Sequence, residues 1–191
     1  MDAAATPFDN RFTRAFGWPI ERIQTKVRPQ LTEPIKAFIA ASPLVVMATS
    51  DREGRCDASP KGGLPGFVRV LDDGHLLVPD VEGNKLFQSY LNMDENPHVG
   101  LLFLIPGLSE VVRVNGRVRI VSKGELDRRG VDGARHDPDV TRDVIQGILV
   151  EVEEAYTHCP RALNYSRLWD TDAILARQAS GEHPLRPRVT V

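Results

Sequence analysis

Four apolar side chains, Leu31, Ile35, Phe38 and Ile39, recur at helical spacing across residues 31–40. That period predicts one buried helix face, with Thr32 and Pro34 marking its start. The pattern then changes. Residues 43–49 are a short β-branched apolar run, the mark of a buried strand. Asp51, Arg52, Glu53 and Gly54 carry turn chemistry, so residues 55–59 are expected to return as the hairpin partner. A second hairpin is expected from residues 67–71 and 75–79 across Asp72, Asp73 and Gly74. Residues 84–92 read as a helix, with Asn84 as its N-cap and Leu86, Phe87, Tyr90 and Leu91 on one face. Tyr90 is assigned to the core and His98 to the surface.

An apolar strand over residues 97–105 turns at Pro106 and Gly107. Residues 111–121 give the cleanest strand signal, as Val112, Val114, Val118 and Ile120 alternate with Arg113, Asn115, Arg117 and Arg119. Gly116 interrupts the series where a bulge or a close backbone approach is expected. A capped helix over residues 122–130, a polar loop over 131–139 and a helix over 140–147 follow. Residues 148–156 are expected as a strand and 160–169 as a short helix. The ends read differently: residues 1–30 form an arm without a clean period, packed on the body or on a partner, and residues 170–191 form a loosely held tail. Many strands on short connections with few helices predict a mainly β, α+β chain: an antiparallel barrel of six or more strands with short flanking helices. The whole is read as one domain.

Bulk properties narrow the function classes. The chain has 191 residues, a formal net charge of -2 and 26% charged residues, with no basic excess to bind nucleic acid or an anionic membrane surface. No apolar run is long enough to span a bilayer, and the first residues lack an export pattern, so a cytoplasmic protein is expected. Two cysteines, Cys56 and Cys159, make no disulfide framework. His158 and Cys159 are sequence neighbours and so point apart in an extended chain, and no third ligand stands at metal-like spacing. Neither a metal site nor a catalytic thiol is assigned. Dinucleotide, P-loop and nucleophile-elbow motifs are missing.

The remaining chemistry clusters at loops. Gly-rich turns and helix starts present backbone N–H groups to anions, and Ser59, Lys61, Asn84 and Lys85 stand at such places. The order of blocks carries more information. Asp57-Ala58-Ser59-Pro60-Lys61-Gly62, Pro65-Gly66-Phe67-Val68, Pro79-Asp80 and Gly83-Asn84 are followed by Asn96-Pro97-His98-Val99-Gly100-Leu101-Leu102-Phe103 and Arg113-Val114-Asn115-Gly116. The last block runs from His158-Cys159-Pro160-Arg161 to Trp169. Together, over residues 31–169, they resemble the pyridoxamine 5′-phosphate oxidase-related superfamily of FMN-binding split barrels, in a subgroup of poorly defined substrate.

That resemblance implies a split barrel, an FMN cofactor, and a homodimer with FMN at the subunit interface lined by both chains. It places Ser59, Lys61 and Gly62 along the flavin or its phosphate tail, and Asn84 and Lys85 at the phosphate. Arg113, Arg161 and Ser166 become further cofactor contacts. Two departures stand out: Leu86 occupies a place where the subgroup usually has Arg, and Tyr165 one where a basic residue is usual. The implied function is flavin-mediated redox of an unidentified small molecule, with no residue assigned as general acid or base. The alternative is a non-catalytic protein on the same barrel that stores or senses flavin, deazaflavin or haem, since a fold does not fix a function.

Overall fold

The computed structural model describes residues 8–131, 143–181 and 183–185. Seven strands form one sheet in the order β2-β1-β5-β6-β7-β4-β3. They are β1 (Leu44–Ser50), β2 (Cys56–Gly62), β3 (Arg69–Val70), β4 (His75–Val81), β5 (His98–Leu104), β6 (Val111–Ser122) and β7 (Val144–His158). Every paired neighbour is antiparallel. This is the mainly β antiparallel architecture expected from the pattern, and it agrees with the split barrel that the resemblance implies.

The core follows from the strand alternation. Val45, Met47, Leu101, Phe103, Val112, Val114, Ile148 and Val150 meet on the inner face, all at most 2% exposed. Helix α3 (Glu33–Ala41) covers it with Ile35 and Ile39, as its period predicts. Helix α4 (Gln88–Glu95) adds Tyr90 and Met93. Strand β4 is buried on both sides: Leu76 and Val78 enter this core, while Leu77 joins a smaller cluster with Val121, Val144, Val131 and Leu126. Leu126 belongs to α5 (Lys123–Arg128), which Ser122 caps by accepting from the Glu125 N–H.

The β6–β7 register shifts between Asn115 and Gly116. A Cβ at Gly116 would lie 2.1 Å from the Glu151 carbonyl oxygen, so only glycine fits this bulge. The expected irregularity at Gly116 is therefore a close backbone approach.

Several expectations are corrected. Residues 59–62 are strand, not loop, because β2 continues pairing with β1 as far as Leu44 opposite Gly62. Pro60 is tolerated there because β2 is an edge strand. The helix expected from Asn84 begins four residues later, at Gln88. Asn84 is not its cap: its Oδ1 accepts from the Leu86 N–H in a local turn at 3.1 Å. Leu86 and Leu91 are each 61% exposed, and the buried face of α4 is Ser89, Tyr90 and Met93. Of the helix expected over 140–147, residues 140–142 lie outside the described residues, and from Val144 onward the chain is strand β7. The loop expected over 131–139 also falls, beyond Val131, outside the described residues. The tail contains α7 (Thr171–Ser180), capped by Asp170 accepting from the Ala173 N–H.

The arm forms two short helices, α1 (Arg11–Phe16) and α2 (Glu21–Gln24). It meets the body through reciprocal backbone hydrogen bonds between Arg28 and Ala155. Neither arm helix buries a residue, and neither does α6 (Arg161–Ser166) or α7.

Candidate functional site

Strand β2 carries Asp57, Ser59 and Lys61 at alternate positions, all half-buried, with their neighbours exposed. They pair with Thr49, Met47 and Val45 of β1 and so point to the inner side, toward the end of β4 and the start of α4. Side chains join these parts. Lys61 Nζ lies 3.0 Å from Asp80 Oδ1 at the end of β4. Ser89 Oγ, in the first turn of α4, donates to Asp57 Oδ2 at 2.6 Å. Side-chain contacts thus hold β2 near β4, while the sheet order gives β2 no ladder partner there.

Helix α4 is fixed against β1 by two further hydrogen bonds, Asn92 Nδ2 to Thr49 Oγ1 and Asn96 Nδ2 to Ser50 Oγ, both 3.0 Å. Its N-terminus is unusual. Phe87 precedes it at φ 52° and provides no side-chain cap, and Lys85 is also left-handed at φ 61°. Non-glycine residues in this region store local strain, which the surrounding contacts must hold. The first-turn N–H groups of Gln88 and Ser89 have no intrahelical acceptor.

Between these parts opens a cleft of about 250 Å³, lined by Asp57, Ser59 and Lys61 on one side and by Asp80, Asn84, Lys85 and the start of α4 on the other. Both lysines have counter-ions, since Lys85 Nζ lies 2.8 Å from Glu82 Oε1. Tyr90 closes the inner end. Burial, and then the charge and hydrogen bond of Asp80, push its phenol far above the ordinary tyrosine range. It therefore stays protonated and donates to Asp80.

The cleft unites Ser59, Lys61, Asn84 and Lys85, four of the residues picked from the sequence. It does not unite the rest. Gly62 lies one residue beyond the lining, paired with Leu44. Arg113 faces the opposite side of the sheet: it pairs with Leu102, which pairs with Val46, and that row alternates with the buried row of Val112, Phe103 and Val45. Arg113 Nη1 donates to Tyr156 Oη at 3.0 Å. Arg161 begins α6 and is exposed, while the Ser166 hydroxyl donates to the Leu163 carbonyl of its own helix at 3.0 Å. Asp57, Asp80, Ser89 and Tyr90 also line the cleft; none was among the expected cofactor contacts, and Tyr90 was assigned to the core alone. The alternation of Asp57, Ser59 and Lys61 was a usable signal for the first, but nothing local reveals that Asp80 and Tyr90 converge.

The chain matches the pyridoxamine 5′-phosphate oxidase family over residues 31–159, about two-thirds of its length. It belongs to that family. No curated protein matches it. Among solved structures, it resembles HupZ of Group A Streptococcus, with a TM-score of 0.51 and 18% identity, covering 66% of this chain and 93% of that one. A pyridoxamine 5′-phosphate oxidase-like protein of Lactobacillus delbrueckii gives a TM-score of 0.50 and 21% identity over 69% of this chain and 98% of that one. At these identities the likeness establishes the shared fold. In this family member, no group of three His, Cys, Asp or Glu among the described residues could hold a metal. No helix among them is long and apolar enough to cross a membrane.

Proposed function

We propose that this family member is an FMN-binding oxidoreductase-like protein whose cleft holds the flavin phosphate and its tail. The observation that carries the reading is the uncapped N-terminus of α4, which opens into a cleft bearing two lysines and the Ser59 hydroxyl. Free first-turn N–H groups and the positive helix end favour a phosphate. Lys61 and Lys85 would add charge, while Ser59 and Asn84 would add neutral hydrogen bonds. Bound FMN would supply the hydride-accepting or hydride-donating chemistry, and the chain's residues would anchor and orient it. Buried, protonated Tyr90 would keep Asp80 in place behind Lys61.

The position of Arg113 supports the homodimer reading. It lies on the outer side of the sheet, whereas the cleft opens on the inner side, so one copy cannot bring both to one ligand. In our reading a second copy supplies Arg113, Arg161 and Ser166. The substrate is a small molecule that the cleft chemistry does not name.

A fluorescence titration with FMN tests the assignment. Lys61→Ala is expected to weaken binding by about 1 to 3 kcal/mol, the range for a lost charged hydrogen bond. Lys85→Ala is expected to weaken binding less than Lys61→Ala does, because its ammonium is exposed and already shared with Glu82. Unchanged affinity in the folded double variant would remove the phosphate from this cleft. Anaerobic reduction of the bound flavin by a nicotinamide donor, with reoxidation by an acceptor, separates an enzyme from a non-catalytic flavin carrier.

A further inference from the structure

On the outer side of the sheet, away from the cleft, basic groups collect without acidic partners. Arg113 Nη1 donates to the Tyr156 hydroxyl, and its guanidinium carbon stands 5.7 Å from the centre of that ring. The His158 ring follows at 5.0 Å from Tyr156, tilted by 41°. The charge of Lys26, from the arm, acts on the same imidazole, and the Arg28–Ala155 backbone pair holds this stretch of the arm against β7. Among the described residues, the charges of Arg113 on β6 and Lys26 in the arm act on His158 and the Tyr156 ring packs beside it, while Glu154, further along the same face of β7, accepts from Asn115 Nδ2.

Two features set this cluster apart from the cleft. First, each cleft lysine has a carboxylate within 3.0 Å, whereas among the described residues neither Lys26 nor Arg113 has an ion-pair partner. Second, His158 Nε2 is fully buried with no hydrogen-bond partner among the described residues. A buried imidazole nitrogen left unpaired is costly, and two cations beside it add repulsion to any proton it takes up. Burial and then Arg113 and Lys26 accordingly hold His158 below its ordinary pKa. An oxyanion would relieve all three at once: it would accept from Arg113 and Lys26 and let His158 carry a proton toward it.

We propose that Lys26, Arg113 and His158 form an oxyanion site for a phosphate or carboxylate group, built within a single copy and closed by the arm. The inference does not require the flavin reading of the cleft. The anion can belong to a separate small-molecule substrate or to the phosphate of a flavin carried by another copy, and the two sources are distinguishable.

The test follows the His158 imidazole by NMR in the full chain, titrated in pH with and without inorganic phosphate. Saturating phosphate is expected to raise the His158 midpoint by about 1 pH unit, the lower end of the effect of a close opposite charge. The shift should persist in Lys61→Gln/Lys85→Gln, which alters only the cleft, and should vanish in Arg113→Gln. Lys26→Gln, in the arm outside the sheet, gives a second variant should Arg113→Gln fold poorly, and it too should abolish the shift. A midpoint that ignores phosphate overturns the proposal, as does a shift that disappears with the cleft variant but survives Arg113→Gln. FMN reproducing the phosphate shift identifies the flavin phosphate as the source; no shift with FMN assigns the site to a separate anion.

Discussion

Single charges in this chain do different work according to what stands beside them. Lys61 is half-buried against Asp80, which also accepts from Tyr90, so three side chains fix one another at the inner end of the cleft. Arg119 and Arg129 do the same on the surface for Glu125. Hydrogen bonding and charge from Arg119 first, then Arg129, hold the Glu125 carboxyl down to about 2 from an ordinary 4.5. A depressed acid contributes stability above its unfolded value and loses it as pH falls through its folded value. The stability advantage of the wild type over Glu125→Gln should therefore be full above pH 4.5 and fade toward about pH 2. Chemical denaturation across that range checks this, and an advantage that stays constant to the lowest pH would contradict it. The sequence shows such residues but not their partners. Lys61 and Lys85 are legible because each stands beside small residues, Lys61 next to Gly62 at the end of β2 and Lys85 in the turn after Asn84, whereas Asp80 and Tyr90 acquire meaning only when β4 and α4 come together.

At the scale of elements, the strands were the most legible part of the chain, because a period of two states both the element and its buried face. Strand β6 shows this best: its alternation, and its interruption at Gly116, appear in the fold as a strand with a bulge. Gly116→Ala would push a Cβ to 2.1 Å from the Glu151 carbonyl oxygen, a backbone atom that cannot swing aside. The β6–β7 ladder would have to shift, at a cost of about 2 kcal/mol or more. Thermal and denaturant unfolding read this directly, and a variant as stable as wild type would refute the bulge geometry. The start of α4 was the least legible element. Asn84 has the chemistry of a cap, yet it spends its side chain on a turn with Leu86, and two left-handed residues delay the helix to Gln88. Local propensity favoured the earlier start. The delay leaves the helix end uncapped where the cleft needs it.

Across the whole molecule, what remains unburied is informative. The arm exposes Phe12, Phe16, Trp18 and Ile20 at 52% or more, and Tyr165 and Leu175 of the C-terminal helices are exposed at 81% and 56%. In our proposal a second copy covers this apolar surface. With Arg113 and the cleft on opposite sides of the sheet, the proposed flavin site is complete only in a pair of copies. Sedimentation should accordingly give a particle of about twice the 21.2 kDa chain mass. A monomer at micromolar concentration that still binds FMN would separate the site from the pairing. The sequence could announce the sheet and half of the cleft; which surfaces lie on opposite sides depends on registers that only the folded sheet fixes.

The most direct test of the central claim is an absorption spectrum of the purified protein after FMN addition and desalting. Oxidised-flavin bands that survive in the wild type and are lost in the Lys61→Ala/Lys85→Ala variant are the predicted result. A wild-type protein that emerges colourless would contradict a flavin in this cleft, leaving the barrel without its proposed cofactor.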